Sequence, residues 1–255
     1  MSNNTDGVIF NIEEMTAHDG DGMRLTIFMK GCPLRCEWCH NPEGQRKEPE
    51  LLYKKNKCIK CGLCMRGCNH KDCIPFGRCL HICPNECLSI CGEIYTVEQL
   101  ANKINGYKKV FDLCGGGVTF SGGEPLYQYK FLSEVLDGLN GVNTAIETSG
   151  YAPESVFREI VDKVDLVYMD IKLYDGEEHR KYTGVDNSVI KQNFKYLQNS
   201  KKRYIIRTPL IVGKTDGTEN LLSIKKFIGD SEWEKLPENK LAEAKKSFIT
   251  GIVRK

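Results

Sequence analysis

No apolar run in this chain of 255 residues approaches the roughly 20 that a membrane-spanning helix requires, so no membrane association is expected. Charge of one sign is also lacking. The 36 Lys+Arg stand against 34 Asp+Glu, a formal net charge of +2, which gives no electrostatic case for nucleic acid as a partner. Residues 1–7 are polar and no signal-like apolar segment follows, so the expected location is the cytoplasm. Internal repeats and low-complexity tracts are missing, as is any Ser-His-Asp or paired-carboxylate arrangement. Gly213-Lys214-Thr215 looks like the end of a phosphate loop, but Thr208 stands where that motif needs glycine. The apolar fraction, 40%, is too high for a disordered chain. The length suits one large domain or a main domain with an insertion.

Cysteine is absent from the last 141 residues, and 12 of the 13 fall between positions 32 and 91. A secreted disulfide scaffold would be shorter and would spread its cysteines. In a reducing cytosol such density points to metal ligation.

Residues 8–12 and 23–30 read as strands. Residues 53–92 are short of aliphatics and crowded with Cys, Gly, Lys and Arg, which marks a small inserted domain with an inorganic core. Strand and helix signals then alternate, with strands at 117–121, 143–147, 166–171 and 204–212 and helices at 96–104, 126–139, 153–161, 188–198 and 219–228. The pattern predicts an α/β fold with a parallel sheet and a site at the carboxyl ends of the strands. The polar motifs fall there.

Cys32, Cys36 and Cys39 form C-x3-C-x2-C on one tight loop. Three thiolates there can hold three irons of a cubane and leave the fourth iron open. Zinc completed by His40 is the alternative, although structural zinc prefers paired C-x2-C knuckles.

With Gly-Gly-Glu further along, this loop resembles the radical S-adenosylmethionine (radical-SAM) superfamily. A longer set resembles the glycyl radical enzyme activating enzymes: His18-Asp19-Gly20-Asp21-Gly22, residues 31–36 and 38–43, residues 116–125, Glu147-Thr148-Ser149-Gly150, Asp170-Ile171-Lys172, Tyr182-Thr183-Gly184 and Arg207-Thr208-Pro209-Leu210. The resemblance runs from about residue 8 to about residue 228. It implies that S-adenosylmethionine (SAM) chelates the open iron. Gly122 and Gly123 would let the backbone approach the methionyl moiety, and Glu124 would accept from its ammonium group. Glu147, Thr148 and Asp170 would form a polar or monovalent-cation site near the SAM carboxylate, while Lys172 and Arg207 supply positive charge. It further implies a glycyl radical enzyme as macromolecular substrate and a reduced flavodoxin or ferredoxin as electron donor.

The insertion carries Cys58, Cys61, Cys64 and Cys68 in the bacterial ferredoxin frame. A second frame holds Cys73, Cys79 and Cys83, with Phe76 where a cysteine is expected. Two 4Fe–4S clusters need eight thiolates, so Cys87 or Cys91 is expected to replace the missing ligand, giving three clusters in all. A zinc-ribbon-like element is the alternative. Cys114 reads as a buried thiol.

The C-terminal part departs from the family pattern. Residues 229–239 hold few strand formers and the chain ends at Lys255, so a sixth strand is not read there, while Asn239 is matched to a SAM-contacting position of the family. The expectation is an incomplete (β/α)6-type radical-SAM barrel from residues 1–52 and 93–255, with a ferredoxin-like insertion at 53–92. Its expected activity is reductive cleavage of SAM to a 5′-deoxyadenosyl radical that takes hydrogen from a partner's backbone glycine. The alternatives are a radical-SAM enzyme acting on a small molecule or another peptide, and an iron–sulfur electron-transfer protein.

Overall fold

A computed structural model describes residues 5–238. The chain opens with β1 (Gly7–Thr16), paired antiparallel to β2 (Arg24–Met29). A ribbon of β3 (Glu50–Tyr53) and β4 (Leu88–Cys91) brackets the cysteine-rich segment. Then come β5 (Glu93–Tyr95), α1 (Val97–Gly106), α2 (Lys108–Cys114), β6 (Gly117–Gly122), α3 (Tyr129–Asp137), β7 (Asn143–Thr148), α4 (Glu154–Lys163) and β8 (Leu166–Asp170). The chain continues through α5 (Gly176–Thr183), α6 (Ser188–Asn199), β9 (Arg203–Leu210), α7 (Thr218–Ile228) and β10 (Trp233–Pro237).

The large sheet runs β10-β9-β8-β7-β6-β2-β1-β5. From β2 to β10 every neighbouring pair is parallel, so six strands follow β/α order in an open, partial barrel. Within this stretch Trp233–Pro237 therefore does supply a sixth strand. Its Glu-Lys-Leu-Pro composition hid it, but an edge strand tolerates charge and a terminal proline. Trp233 anchors it by packing on the core and donating from Nε1 to Thr208 Oγ1 at 3.0 Å.

Period-two alternation assigns the two faces of the sheet. Ile27, Phe120, Ile146, Met169 and Ile206 pack with Leu100, Phe131, Phe157, Phe194 and Ile224 of the helices in one apolar core. The intervening positions face the barrel interior. At its base, fully buried Arg24 donates to Thr119 Oγ1 at 2.6 Å, Val118 O at 2.7 Å and Asn143 Oδ1 at 3.0 Å. Burial lowers its pKa, so these acceptors hold a guanidinium that has lost its water. At the opposite, carboxyl ends the same face carries Ser121, Glu147, Asp170 and Arg207.

Between Tyr53 and Leu88 the described structure has only three-residue helical turns. Ile59, Met65, Ile74 and Ile82 are exposed, while Cys73, Cys79 and Cys87 are buried. The segment thus lacks an aliphatic core of its own. Cys114 is exposed at the end of α2, against the expectation of a buried thiol. A left-handed Gly115 ends the helix there and turns the chain toward β6. No helix among the described residues is long and apolar enough to cross a membrane.

Candidate active site

The loop after β2 is tied on two sides. Gly31 N donates to Gly44 O at 2.7 Å and Cys32 N to Gln45 O at 2.9 Å, which folds the loop back on itself. Arg35 N donates to Thr183 O at 2.7 Å and Glu37 N to Tyr182 O at 3.1 Å. The Tyr182-Thr183-Gly184 motif is thus a brace for the cysteine loop. Its turn is fixed in turn by buried His179, whose Nδ1 lies 2.7 Å from Val185 O. Trp38 packs on the Tyr182 ring, and Lys214 pairs with Glu37 at 2.5 Å.

This loop and the strand ends enclose one cavity of about 460 Å³. Cys32, Cys36 and Cys39 line it together with Gly122, Gly123, Glu147, Thr148, Asp170, Lys172 and Arg207. Burial pushes the Cys32 thiol up to about 12, with Glu124 adding to it. Burial likewise takes Cys36 to about 11, against the pull of Lys172. Such thiols ionise only when a cation replaces the lost water. Three of them on one loop, with no fourth cysteine lining the cavity, fit a cluster that keeps one iron open.

Opposite the cysteines the charges are paired. Burial raises the Glu147 carboxyl, and Arg207 opposes this by direct pairing while Ser121 Oγ donates to Glu147 at 2.5 Å. Arg207 also donates to Glu234 at 2.7 Å and lies over the Tyr168 ring. Lys172 donates to Asp170 at 2.5 Å. Burial is the largest single effect and works against its charge, but Asp170, Cys36 and Cys32 together outweigh it and the ammonium pKa rises.

Glu124 departs from the expectation. It is 1% exposed, is not among the cavity's lining residues, and accepts from Thr148 Oγ1 at 2.6 Å, Ser149 N at 2.8 Å, Ser149 Oγ at 2.5 Å and Leu126 N at 3.2 Å. It braces the Thr148-Ser149 wall. The glycines before it have a packing reason as well. A Cβ on Gly122, whose φ is +115°, would sit 2.4 Å from Met29 N, and one on Gly123 2.4 Å from Gly44 O. Asn239 lies outside the described residues. The sequence missed the cavity contributions of Ser149, Leu236, Pro237 and Glu238. Only the register of β9 against β10, which opposes Arg207 and Glu234, brings the last of these into view.

The insertion cysteines fall into separate groups. Cys87 stands with Cys83 and Cys58: its N donates to the Cys83 sulfur at 3.3 Å, and its thiol, its pKa raised by burial, lies close enough to both for them to raise it further. Cys68, Cys73 and Cys79 form a second group, joined by His70. Two further cysteines, Cys87 and Cys91, are the ones expected to fill the Phe76 position. Cys87 belongs with Cys58 and Cys83. Cys91 lies at the base of the neck, 4.0 Å from Lys30 Nζ, because β4 holds it in register with Glu50. Cys61 is exposed, and Arg78 lies 3.8 Å from the Cys64 sulfur.

Comparison with known proteins adds three relationships. Residues 18–197 match the family model described as a 4Fe-4S single cluster domain. The chain is 37% identical to the 4-hydroxyphenylacetate decarboxylase activating enzyme of Clostridioides difficile strain 630, covering 94% of this chain and 84% of that one. It is also 37% identical to the choline trimethylamine-lyase activating enzyme of Oleidesulfovibrio alaskensis, over 87% and 77% of the two chains. Among solved structures, Streptococcus suis SuiB bound to S-adenosylmethionine superposes with a TM-score of 0.51 at 14% identity, over 88% of this chain and 41% of that one, a likeness of fold alone.

Proposed function

The chain belongs to the radical-SAM family of glycyl radical enzyme activating enzymes, and from that premise we propose that it abstracts hydrogen from a backbone glycine of a partner glycyl radical enzyme. One observation carries the reading. The three-thiolate loop and the strand-end residues line a single cavity, while the basic groups on its far wall keep their charge. A reduced cluster held by Cys32, Cys36 and Cys39 would supply the one-electron reduction by which SAM is cleaved to methionine and a 5′-deoxyadenosyl radical.

The protein's part is to bind, orient and exclude water. Cys32, Cys36 and Cys39 would hold three irons. The backbone at Gly122 and Gly123 would lie along the methionyl group. Lys172 and Arg207 would donate to the SAM carboxylate or ribose, with Glu147, Thr148 and Asp170 fixing their geometry. A monovalent cation at this carboxylate would have to compete with Lys172 for Asp170. Glu124 acts through Thr148 and Ser149 as a positioning residue.

Residues 53–92 serve as a ferredoxin-like unit carrying two further centres, and residues 1–52 and 93–255 as the SAM barrel. A reduced flavodoxin or ferredoxin is the electron donor. The two relatives are named for a decarboxylase and a choline trimethylamine-lyase, which supports a partner enzyme for this chain without fixing its reaction.

The test is electron paramagnetic resonance. Reduced protein with SAM should produce a glycine-centred doublet only when the cognate partner is added, and a glycine-to-alanine change in the partner should remove it. Rapid deoxyadenosine formation with a small metabolite, while the partner stays radical-free, would overturn the reading.

A further inference from the structure

The second ferredoxin frame lacks a ligand at Phe76, and the structure supplies a different donor at that centre. One ring nitrogen of His70 and the sulfurs of Cys68, Cys73 and Cys79 all lie within 4.8 Å of one another. Cys73 and Cys79 are 1% and 5% exposed. Local backbone makes the grouping. Cys73 N donates to His70 O at 3.0 Å and Ile74 N to the same oxygen at 3.2 Å, which curls residues 70–74 so that His70 and Cys73 share one side of a turn. Cys79 N donates to Cys64 O at 2.9 Å, drawing the second frame onto the first. Leu80 N donates to the Cys73 sulfur at 3.3 Å, the kind of bond that tunes a metal-bound thiolate.

The partition of the other cysteines points the same way. In paired ferredoxin runs the fourth cysteine of each run serves the other cluster. Cys83 accordingly stands with Cys58, and Cys68 with Cys73 and Cys79. The second group is then one donor short. Cys87 is committed to the first group and Cys91 lies at the neck beside Lys30. His70 Nδ1 is 3.9 Å from the Cys79 sulfur. Behind it stands His81, its ring 4.7 Å away and its own Nε2 held by Asp72 at 2.8 Å.

We infer that Cys68, His70, Cys73 and Cys79 form one Cys3His metal centre, in which His70 takes the ligand position lost at Phe76. This rests on the proposed metal-binding role of the insertion. Three thiolates and an imidazole are donors that a 4Fe–4S cubane in the ferredoxin frame accepts, provided that they spread beyond the 4.8 Å within which they lie here. They also suit one tetrahedral ion, whose donors stand ~3.8 Å apart when metal–sulfur bonds are about 2.3 Å. In either case one donor is a neutral imidazole, which makes the centre less negative than its all-cysteine counterpart.

The experiment compares the full chain with His70→Ala, His70→Cys, His81→Ala and Cys87→Ala, each prepared anaerobically with ferrous iron and sulfide, with and without Zn2+. Iron, zinc and midpoint potentials are measured. A cubane predicts about twelve irons per chain, and a single ion about eight irons with one zinc. His70→Ala should lose that centre's metal, whichever it is, and His81→Ala should keep it. If the centre is a cubane, His70→Cys should retain the iron and move one potential to a more negative value, because histidine-for-cysteine ligation raises it. If it is zinc, His70→Cys should retain the zinc.

The inference is overturned if His70→Ala has the metal content and potentials of the unmodified protein, or if Cys87→Ala or His81→Ala loses this centre instead. Unmodified protein holding about four irons and no zinc would overturn the metal-binding reading of the insertion itself. That outcome is distinct from a misassigned fourth ligand.

Discussion

Lys30 Nζ lies 3.0 Å from Glu50 Oε2, with side-chain exposures of 0% and 7%. The last residue before the three-cysteine loop is therefore ion-paired to the first residue of the insertion's neck. Lys30 also donates to Glu43 O at 2.5 Å, so one ammonium joins the barrel, the cysteine loop and the ribbon. Glu50 is also paired with the more exposed Arg46 at 3.4 Å, so removing Lys30 leaves its carboxylate with the weaker of two partners. Lys30→Met should cost less than the ~3–5 kcal/mol of a buried charge left wholly unpaired, read as a lower unfolding midpoint. Lys30→Met combined with Glu50→Leu should recover most of it. Equal losses in the single and double variants would show that the pair is not coupled.

Cys36→Ala tests the role of the cavity cysteines. The variant should lose about four irons and all reductive deoxyadenosine formation, while retaining the metal of the insertion. Deoxyadenosine formation at the unmodified rate would remove Cys36 from the cluster.

Glu124→Gln separates a brace from a ligand contact. The substitution replaces a carboxylate oxygen by a donor among four groups that already donate to it. It should destabilise the fold by ~1–3 kcal/mol. SAM affinity should change by less than the tenfold that about 1.4 kcal/mol represents. Unchanged thermal stability with a larger loss of SAM binding would place Glu124 against the ligand.

His179 gives the cysteine loop a pH dependence. Burial lowers its pKa, against the hydrogen bond to Val185 O. The unfolded chain takes up a proton near pH ~6.5, which the folded state resists. Its contribution is thus present above that pH and is lost as the pH falls below it. Unfolding midpoints measured from about pH 7.5 to 5.5 should fall toward acid, and His179→Gln should flatten the slope. Identical slopes would acquit His179.

Trp233→Ala tests the sixth strand. Trp233 is half-buried, so its loss should cost ~1–3 kcal/mol, less than a fully buried tryptophan. SAM binding should weaken too, because Leu236, Pro237 and Glu238 line the cavity beyond it. Isothermal titration of SAM into the anaerobic protein reads this, and unchanged affinity would detach β10 from the site.

Much of this was legible because strand ends have a period and a direction. Ser121, Glu147 and Asp170 follow apolar positions at alternate spacing, and a parallel sheet brings such ends to one mouth. Orientation beyond the last strand residue was not legible. Glu124 leaves β6 after two glycines and turns behind the cavity, which spacing does not reveal. β10 was obscured because strand preference weakens at an edge, where pairing with Ile206 to Leu210 decides. His70 stands outside the cysteine spacing of the frame, and only the turn at residues 70–74 brings its imidazole to Cys79.

The β3–β4 ribbon also governs how the long detour between the first two parallel strands affects chain closure. Arg24 pairs with Gly117, and the connection between those strands contains the whole insertion. The ribbon sets Tyr53 beside Leu88, so the path through the insertion leaves and returns at one point. Loop-closure entropy grows only logarithmically, about 0.6 kcal/mol for each doubling of length. Residues 54–87 are less than half of that connection. Their presence or removal therefore shifts the entropy of joining β2 to β6 by less than ~0.6 kcal/mol. A module of this kind can be gained, lost or exchanged at the neck with little effect on whether the barrel closes, provided that Glu50 still meets Lys30.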